Sequence, residues 1–203
     1  MKVLLINGSC NKNGCTFRAL TEIENVLKQE NIETELIQIG RDAIKDCIGC
    51  CGCIKNNNKC IFGNDVVNEI IEKAKTSDGF VFGSPVYYAH PSGRLLSVLD
   101  RVFYAGGKFL AYKPGAAVVV ARRAGTTASI DVINKYFTIN KMPVVSSNYW
   151  NMVYGTKPED VEKDLEGLQN MRHIGYNMVW ILNAIKKVEF PKSEDKIKTN
   201  FIK

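Results

Sequence analysis

Strand-like and helix-like segments alternate five times along this chain, and that order restricts the available folds more than any other feature. Each short apolar run is followed by a segment whose apolar residues recur at the period of an α-helix. The predicted strands span residues 2–7, 32–39, 79–86, 115–122 and 142–147. The predicted helices span residues 15–30, 65–74, 93–104, 128–140 and 158–187. The alternation predicts a doubly wound α/β domain with parallel strands and with helices on both faces of the sheet.

The loop after the first predicted strand has the composition of a phosphate cradle. Ligands of open parallel sheets bind at the carboxyl ends of the strands, which directs attention to the loops after strands one, three and four. The first loop, "GSCNKNGCT" at 8–16, combines glycines with short polar side chains at a helix start. Its candidate ligands are Ser9, Asn11, Gly14, Cys15 and Thr16. It matches neither a Walker motif nor G-x-G-x-x-G and so favours a bound monophosphate; a plain polar turn is the alternative.

The loops after strands three and four carry aromatic and basic residues. In "GSPVYYAHPSG" at 83–93, Pro85 fixes the backbone, and Tyr87 and Tyr88 offer faces on which a flat ligand can stack. The alternative is that the tyrosines only cover the sheet end. His90 is a candidate proton donor or an incidental loop residue. In "ARRAGTTAS" at 121–129, the adjacent Arg122 and Arg123 can bind an anionic cofactor or remain in solvent.

Five of the seven cysteines lie in "CIGCCGCIKNNNKC" at 47–60. Cys47, Cys50, Cys53 and Cys60 have spacings of two, two and six residues, with Cys51 as an extra thiol. Three interpretations are open: an iron–sulfur cluster closed by the fourth thiolate, a crowded zinc site, or metal-free thiols that pack the loop. Because the chain begins with a strand and has no signal-like segment, we expect a cytoplasmic protein, in which clustered cysteines favour metal or redox chemistry over disulfides.

Composition limits the remaining classes of function. A chain of 203 residues, 45% hydrophobic and 24% charged, is typical of one globular domain, and its apolar runs are too short for a membrane span. Half of the net charge of +6 lies in residues 186–203, where six lysines face three acidic residues. Because no basic stretch is interleaved with aromatic residues, we expect no nucleic-acid partner and no membrane partner.

Four motifs together resemble the flavodoxin-like NAD(P)H-dependent FMN reductases, and within them the iron–sulfur flavoprotein branch. These are "MKVLLINGSCNKNGCT", C-x-x-C-x-x-C…C, "GSPVYYAHPSGRLLSVLDR" and "DLEGLQNMRHIGYN". The resemblance implies a five-stranded parallel sheet of order 2-1-3-4-5. It also implies an FMN-binding domain over 1–187, followed by a basic tail over 188–203. Two departures are Cys10-Asn11, where the family often has Pro-Arg, and "FGND", where an acidic pair usually follows the fourth cysteine.

The resemblance also implies a site. The FMN phosphate would lie in the loop at 9–16. The ring would lie between two sets of residues, which are Pro85, Val86, Tyr87 and Tyr88 on one side and Arg122, Arg123 and Gly125 on the other. Tyr88 and His90 are the candidate catalytic residues. The implied ligands of a [4Fe–4S] cluster are Cys47, Cys50, Cys53 and Cys60, although relatives with similar cysteines also look cluster-free.

The activity implied is electron transfer from NAD(P)H through FMN to a flat acceptor such as a quinone, an azo or nitro compound, or free flavin. The alternative is an iron–sulfur and FMN electron-transfer protein without a small-molecule substrate of its own. Electron carriers of the flavodoxin type tend to be acidic, and a pI near 8.9 argues against that class. The family also implies a homodimer or a homotetramer.

Overall fold

The computed structural model describes residues 1–192, 194–195, 197, 199 and 201, and its central sheet is parallel. The strands are β1 (Lys2–Asn7), β2 (Glu33–Gln38), β3 (Gly79–Tyr87), β4 (His90–Pro91), β5 (Gly115–Ala121) and β6 (Met152–Tyr154). Five of them are hydrogen-bonded in the order β2-β1-β3-β5-β6, and β4 pairs antiparallel with the end of β3. The predicted order 2-1-3-4-5 is therefore confirmed for the parallel strands, and the short β4 is a sixth strand that was not predicted.

Helices cover both faces of this sheet, as predicted. They are α1 (Cys15–Gln29), α2 (Gly52–Lys55), α3 (Val67–Ala74), α4 (Gly93–Gly106), α5 (Thr126–Ile139), α6 (Pro158–Val161) and α7 (Leu165–Ile185), with a 3-10 turn at Gly107–Phe109. One buried cluster joins α3, α4 and α5 to the sheet, and the other joins α1 and α7 to it. Along β1, Leu4 and Ile6 point into the first cluster and Val3 and Leu5 into the second. Burial on both faces explains why this strand is a continuous apolar run.

The fifth strand was predicted in the wrong place. Residues 142–147 make only a single bridge to the sheet, between Val144 and Gly115, and β6 begins later, at Met152. The segment between them leaves the sheet and returns at Asn151, whose carbonyl accepts the N–H of Val119. The edge partner of β5 is therefore interrupted, which an apolar run cannot reveal.

The last helix was predicted to run without a break over 158–187, and that prediction was wrong as well. Asp164 separates α6 from α7 because its carboxylate caps the second helix, with Oδ1 2.9 Å from the N atom of Gly167. The same carboxylate accepts the N–H of Tyr154 at 2.7 Å. Part of the predicted tail at 188–203 lies outside the described residues; in the described part, the ring of Phe190 contacts Tyr112 at 5.7 Å between centroids.

Helices α1 and α7 pack unusually closely. A Cβ atom added to Gly175 in α7 would lie 2.7 Å from the Cβ of Val26 in α1, so only glycine fits at this crossing. One ion pair extends the contact: Arg172 of α7 reaches Glu22 of α1 at 2.6 Å. Glu22 also pairs with Arg18 of its own helix at 2.9 Å. The first and last long helices of the fold therefore form one layer.

Candidate functional site

A cavity of about 560 Å³ opens at the carboxyl ends of β1, β3 and β5. This volume is in the range of small-molecule sites. The predicted cofactor residues that line it are Ser9, Asn11, Gly14, Cys15, Thr16, Pro85, Val86, Tyr87 and Arg122. Residues from three separate loops, which the sequence analysis grouped by their place in the fold, thus share one wall.

Hydrogen bonds between backbone and side-chain atoms shape the loop at 9–16, which is the predicted phosphate loop. Ser9 donates its N–H to Asn7 Oδ1 at 3.1 Å, and Asn11 donates its N–H to Ser9 Oγ at 3.1 Å. Gln38, at the end of β2, donates to the Ser9 carbonyl at 2.5 Å. The N-cap of α1 is Gly14, which has no side chain to occupy the first N–H groups of the helix. Those groups therefore remain available for an anion.

The loop after β3 presents Pro85, Val86 and Tyr87 to the cavity. The Tyr87 hydroxyl lies 3.8 Å from Cys10 Sγ. Burial, together with this contact, raises the pKa of the Tyr87 phenol, so the hydroxyl stays protonated at neutral pH. Its half-exposed ring is the aromatic surface that the loop offers to a flat ligand.

Tyr88 and His90 are not among the residues that line this cavity. Tyr88 adopts a left-handed backbone with φ of 48° and is fully exposed, because it forms the turn between β3 and β4. His90 is exposed and pairs with Tyr87 only through the backbone. The structure thus places the two predicted catalytic residues on the outer side of the loop, and their role stays a prediction.

Arg122 lines the cavity, whereas Arg123 and Gly125 lie outside its wall. Gly125 has φ of 89°, and a Cβ atom added there would lie 2.5 Å from the Cα of Ala89 and 2.9 Å from Val86 Cγ1. Its absent side chain lets the start of α5 pack directly against the loop after β3. Gly125 therefore helps to position the loop after β3, which forms one wall of the cavity.

Sequence reasoning missed two further groups of lining residues. One is basic and includes Lys12 and Arg41, and the other is the segment 155–158 between β6 and α6. With Arg122 and Lys157, four cationic side chains border the cavity, and its lining includes no Asp or Glu. Such a site attracts anions. The position of Arg41, just past the carboxyl end of β2, was the available signal.

The five clustered cysteines line a second, much smaller cavity of about 40 Å³ against α4. Cys47, Cys53 and Cys60 are half-buried, Cys50 and Cys51 are exposed, and all five are free thiols. Thiolates suit iron or zinc. Within the described residues, however, no three His, Cys, Asp or Glu side chains are arranged around a common metal position. The loop therefore brings the thiols to one place without forming a single-ion site.

Arg101 of α4 ties this cysteine loop to the body of the protein. Its buried guanidinium donates to Cys60 Sγ at 3.2 Å and pairs with both carboxylate oxygens of Asp65. The other two donors reach the carbonyls of Lys45, at 3.2 Å, and Phe62, at 2.9 Å. All five N–H groups are thus used. Asp65 is the acidic residue of "FGND". This segment departs from the usual acidic pair of the family, but it still supplies a carboxylate that pairs with Arg101.

Two other polar contacts fix the surroundings of Arg101. Asn68 of α3 accepts the N–H of Cys60 at 2.8 Å and donates to the Cys60 carbonyl at 3.0 Å. On the opposite side of α4, Asp100 accepts the hydroxyl of Tyr136 at 2.5 Å. Burial, and then this hydrogen bond, raises the pKa of the Tyr136 phenol. These contacts give Asp100 and Arg101 structural tasks.

None of the helices in the described residues combines the length and the apolar character that a membrane crossing needs.

Comparison with known proteins places these sites in context. Residues 1–157 match the family described as NADPH-dependent FMN reductase. An iron–sulfur flavoprotein of Methanocaldococcus jannaschii is 36% identical over 195 residues, which cover 92% of this chain and 100% of that protein. A second iron–sulfur flavoprotein of the same organism is 32% identical over 186 residues, covering 85% of this chain and 92% of that protein.

Solved structures confirm the predicted flavodoxin-like fold. A flavodoxin from the domain Archaea superposes with a TM-score of 0.61 at 15% identity, covering 90% of this chain and 99% of that one. The structure of RosB with a bound formylriboflavin phosphate intermediate superposes with a TM-score of 0.72 at 15% identity, covering 99% and 92%. At such identities the likeness concerns the fold alone.

Proposed function

Because the chain belongs to the family of NADPH-dependent FMN reductases, in its iron–sulfur flavoprotein branch, we propose that it passes electrons from NAD(P)H through FMN to a flat small-molecule acceptor. FMN-linked oxidoreduction is the general activity of that family. The observation that carries the proposal is the shared cavity, in which a phosphate loop and an aromatic loop meet. Quinones, azo compounds, nitro compounds and free flavin are the acceptors that suit a flat pocket.

The chemistry of the lining residues supports FMN as the ligand. The amides of the loop at 9–16 and the start of α1 would hold its phosphate, because donors converge there without a carboxylate. The isoalloxazine would lie against Pro85, Val86 and Tyr87. Arg122, on the other wall, would favour the anionic form of the reduced ring. When bound, FMN supplies the redox chemistry, and the protein residues bind, orient and shield it.

The test is spectroscopic and kinetic. Purified protein, titrated with FMN, is expected to acquire a yellow chromophore with one equivalent bound, and then to oxidise NADH or NADPH when a quinone or azo dye is present. The rates with the two nicotinamides decide the donor. A protein that binds no FMN, or that binds it and never accepts hydride, contradicts the proposal.

Tyr88 and His90 are proposed to act on the acceptor rather than on FMN, since both lie beyond Tyr87 on the exposed side of the loop. Tyr88→Phe and His90→Gln should then lower the rate with a quinone while FMN affinity and the first hydride transfer stay unchanged. Arg123→Gln, at the rim beyond Arg122, is the comparison for a change of charge alone. An equal loss in the hydride half-reaction would contradict this assignment.

We also propose that Cys47, Cys50, Cys53 and Cys60 bind a [4Fe–4S] cluster. All four line one cavity, and the relatives are named iron–sulfur flavoproteins. Zinc needs four thiolates within about 2.3 Å of one ion, and the described cysteines do not converge in that way, whereas a cluster spreads its ligands over several irons. Cluster-free thiols are the remaining alternative.

A matched pair of variants tests this cluster. Cys60→Ser should lose most of the iron and the broad visible absorption of anaerobically purified protein. Cys51→Ser, which changes the extra thiol in the same loop, should keep both. Wild-type protein without iron, or equal iron in the two variants, would contradict the proposed ligand set.

A role as an electron carrier without its own substrate is favoured by one observation. Apolar side chains that line the cysteine cavity are exposed, with Ile48 and Tyr104 at 64% and 73% of their surface. Such a surface suits a protein partner. Rapid NAD(P)H oxidation by the isolated protein would exclude this second function, whereas reduction that requires another protein would support it.

We further propose a cytoplasmic homo-oligomer, a dimer or a tetramer. All seven cysteines are free, as a reducing compartment requires. Tyr149 and Trp150 are exposed by 58% and 56% in the segment before β6, where a second copy could cover them. Light scattering of the wild type and of a Trp150→Ser variant tests the assembly, and a monomeric wild type would contradict it.

A further inference from the structure

Arg41 lies across the phosphate loop although it belongs to another part of the chain. It follows β2, which neighbours β1, so the ends of these strands lie side by side. The Arg41 Nη2 atom donates to Asn11 Oδ1 at 3.0 Å, and its Nε atom donates to the carbonyl of Cys10 at 3.3 Å. Both partners are the residues that replace the family's Pro-Arg. The Arg41 guanidinium therefore lies beside the two loop positions at which this chain lacks the family's arginine.

The turn that carries Arg41 is anchored from a third element. Arg94, in the first turn of α4, donates to the Arg41 carbonyl at 3.0 Å and also to the carbonyl of Asp42. Because α4 follows the loop that holds Pro85 to Tyr87, the same helix start supports both walls of the cavity. The backbone of Arg41 is thus held in place while its side chain stays exposed.

The charge of Arg41 is available to a ligand. In the part of the chain that the structure describes, no carboxylate lies within 4 Å of the Arg41 guanidinium. Two of its five N–H groups are used in the contacts with Cys10 and Asn11. A guanidinium binds a phosphate through two parallel hydrogen bonds, which the ammonium groups of Lys12 and Lys157 cannot do.

We propose that Arg41 makes this site select a phosphorylated flavin over a neutral one, by supplying the guanidinium that the loop with Cys10 and Asn11 lacks. The inference rests on the proposed FMN function and adds to it a residue outside the phosphate loop. The ligand class is a flavin carrying a terminal monophosphate. Riboflavin, which has the same ring and no phosphate, is the molecule the site discriminates against.

The experiment compares FMN and riboflavin in the same protein. Apo-protein is titrated with each flavin by fluorescence quenching, for the wild type and for Arg41→Gln. A lost hydrogen-bonded charge should weaken FMN binding about ten-fold or more, because contacts with charged groups are the strong ones. Riboflavin binding should not change. The dependence of FMN affinity on salt should become shallower in the variant.

Three further variants separate charge from structure. Lys135→Gln, on the exposed side of α5 and outside the cavity lining, makes the same change in net charge and should leave the FMN-to-riboflavin ratio intact. Arg41→Lys keeps the charge without the fork and should give an intermediate ratio. Asn11→Arg added to Arg41→Gln moves the guanidinium into the loop itself and should restore selectivity, which no purely structural role of Arg41 would allow.

The outcomes are distinct. A wild type that binds both flavins equally overturns the assignment of the phosphate loop, and the role of Arg41 falls with it. A wild type that prefers FMN, with Arg41→Gln keeping the same preference, overturns the role of Arg41 alone. Equal weakening of both flavins in Arg41→Gln, with circular dichroism showing an intact fold, also overturns it.

Discussion

The proposed flavin cavity, at the carboxyl ends of β1, β3 and β5, and the cysteine loop are built in different ways. The cavity lies where the topology of a parallel sheet brings three loops together, and each loop is attached to a buried strand. The cysteine loop follows an edge strand and includes one short helix, α2, with no buried residue of its own. Arg101 attaches it to α4, through Cys60 and through the buried ion pair with Asp65. One site is thus supported by the whole fold and the other by a few side chains.

This difference shows where each site should be vulnerable. The loops of the cavity are attached to buried strands, so single side-chain changes there should affect ligand binding more than folding. In the cysteine loop, the side chains that hold Cys60 in place also hold the backbone of the loop. A substitution there should therefore affect both ligand binding and folding. Substitutions placed on each side test this separation.

The largest effect is expected for Arg101→Leu. It leaves the Asp65 carboxylate buried and unpaired, which should lower the free energy of unfolding by about 3–5 kcal/mol. Urea denaturation measures this loss. The double variant Arg101→Leu/Asp65→Leu removes both charges and should recover much of it. Bound iron should fall in the single variant while FMN affinity holds; an equal fall in FMN affinity would break the separation between the two sites.

Gly125→Ala is the corresponding change behind the flavin cavity. A side chain at φ of 89° is strained, and its Cβ would contact the backbone of Ala89. We therefore expect the free energy of unfolding to fall by about 2 kcal/mol or more. FMN affinity should fall and bound iron should not. Gly63→Ala, which lies just after the cysteine loop and has open space around the added atom, is the control and should be nearly neutral. A drop in iron with Gly125→Ala would contradict the comparison.

Asn68→Ala should have a smaller effect, confined to the cysteine loop. It removes the side-chain bonds to the backbone of Cys60 and Phe62, and we expect a loss of about 1–2 kcal/mol with weaker iron retention. Asn68→Asp keeps the acceptor for the Cys60 N–H. Its stability and iron content should therefore lie between those of the wild type and of Asn68→Ala. Urea denaturation and iron analysis give the result, and unchanged iron in both variants would show that Cys60 needs no such support.

Tyr136→Phe should change neither site and should lower the free energy of unfolding by about 1 kcal/mol at neutral pH. The folded state raises the pKa of this phenol through burial and through Asp100, so it binds its proton more tightly than the unfolded chain does. That stability is present below the unfolded pKa of about 10 and is lost as the pH rises above it. The difference between wild type and variant, measured by urea unfolding, should therefore narrow above pH ~10. If the stabilities of wild type and variant changed in parallel with pH, a raised pKa of the Tyr136 phenol would be excluded.

Sequence reasoning succeeded where a buried strand or a backbone rule controls the structure. The alternation of strands and helices followed from the apolar runs. The strand order followed from the family resemblance, and nine lining residues of the cavity followed from the strand-end loops together with that resemblance. It failed where one side chain decides: Asp164 interrupts the last helix, and the turn at Tyr88 directs that ring outward. It also missed Arg41, because only the loops after strands one, three and four were considered and the end of β2 was left out.

The close packing of α7 on α1 has a consequence for biosynthesis. Helix α1 begins in the loop at 9–16, and its apolar face is covered by α7, which ends at Ile185. On the ribosome, the residues that line the cavity, the last of which is Pro158, are made before α7. Until α7 has been made, the apolar face of α1 has no cover, so we expect the proposed flavin to bind only after the synthesis of α7. Acquisition of the chromophore would then report that α7 is in place.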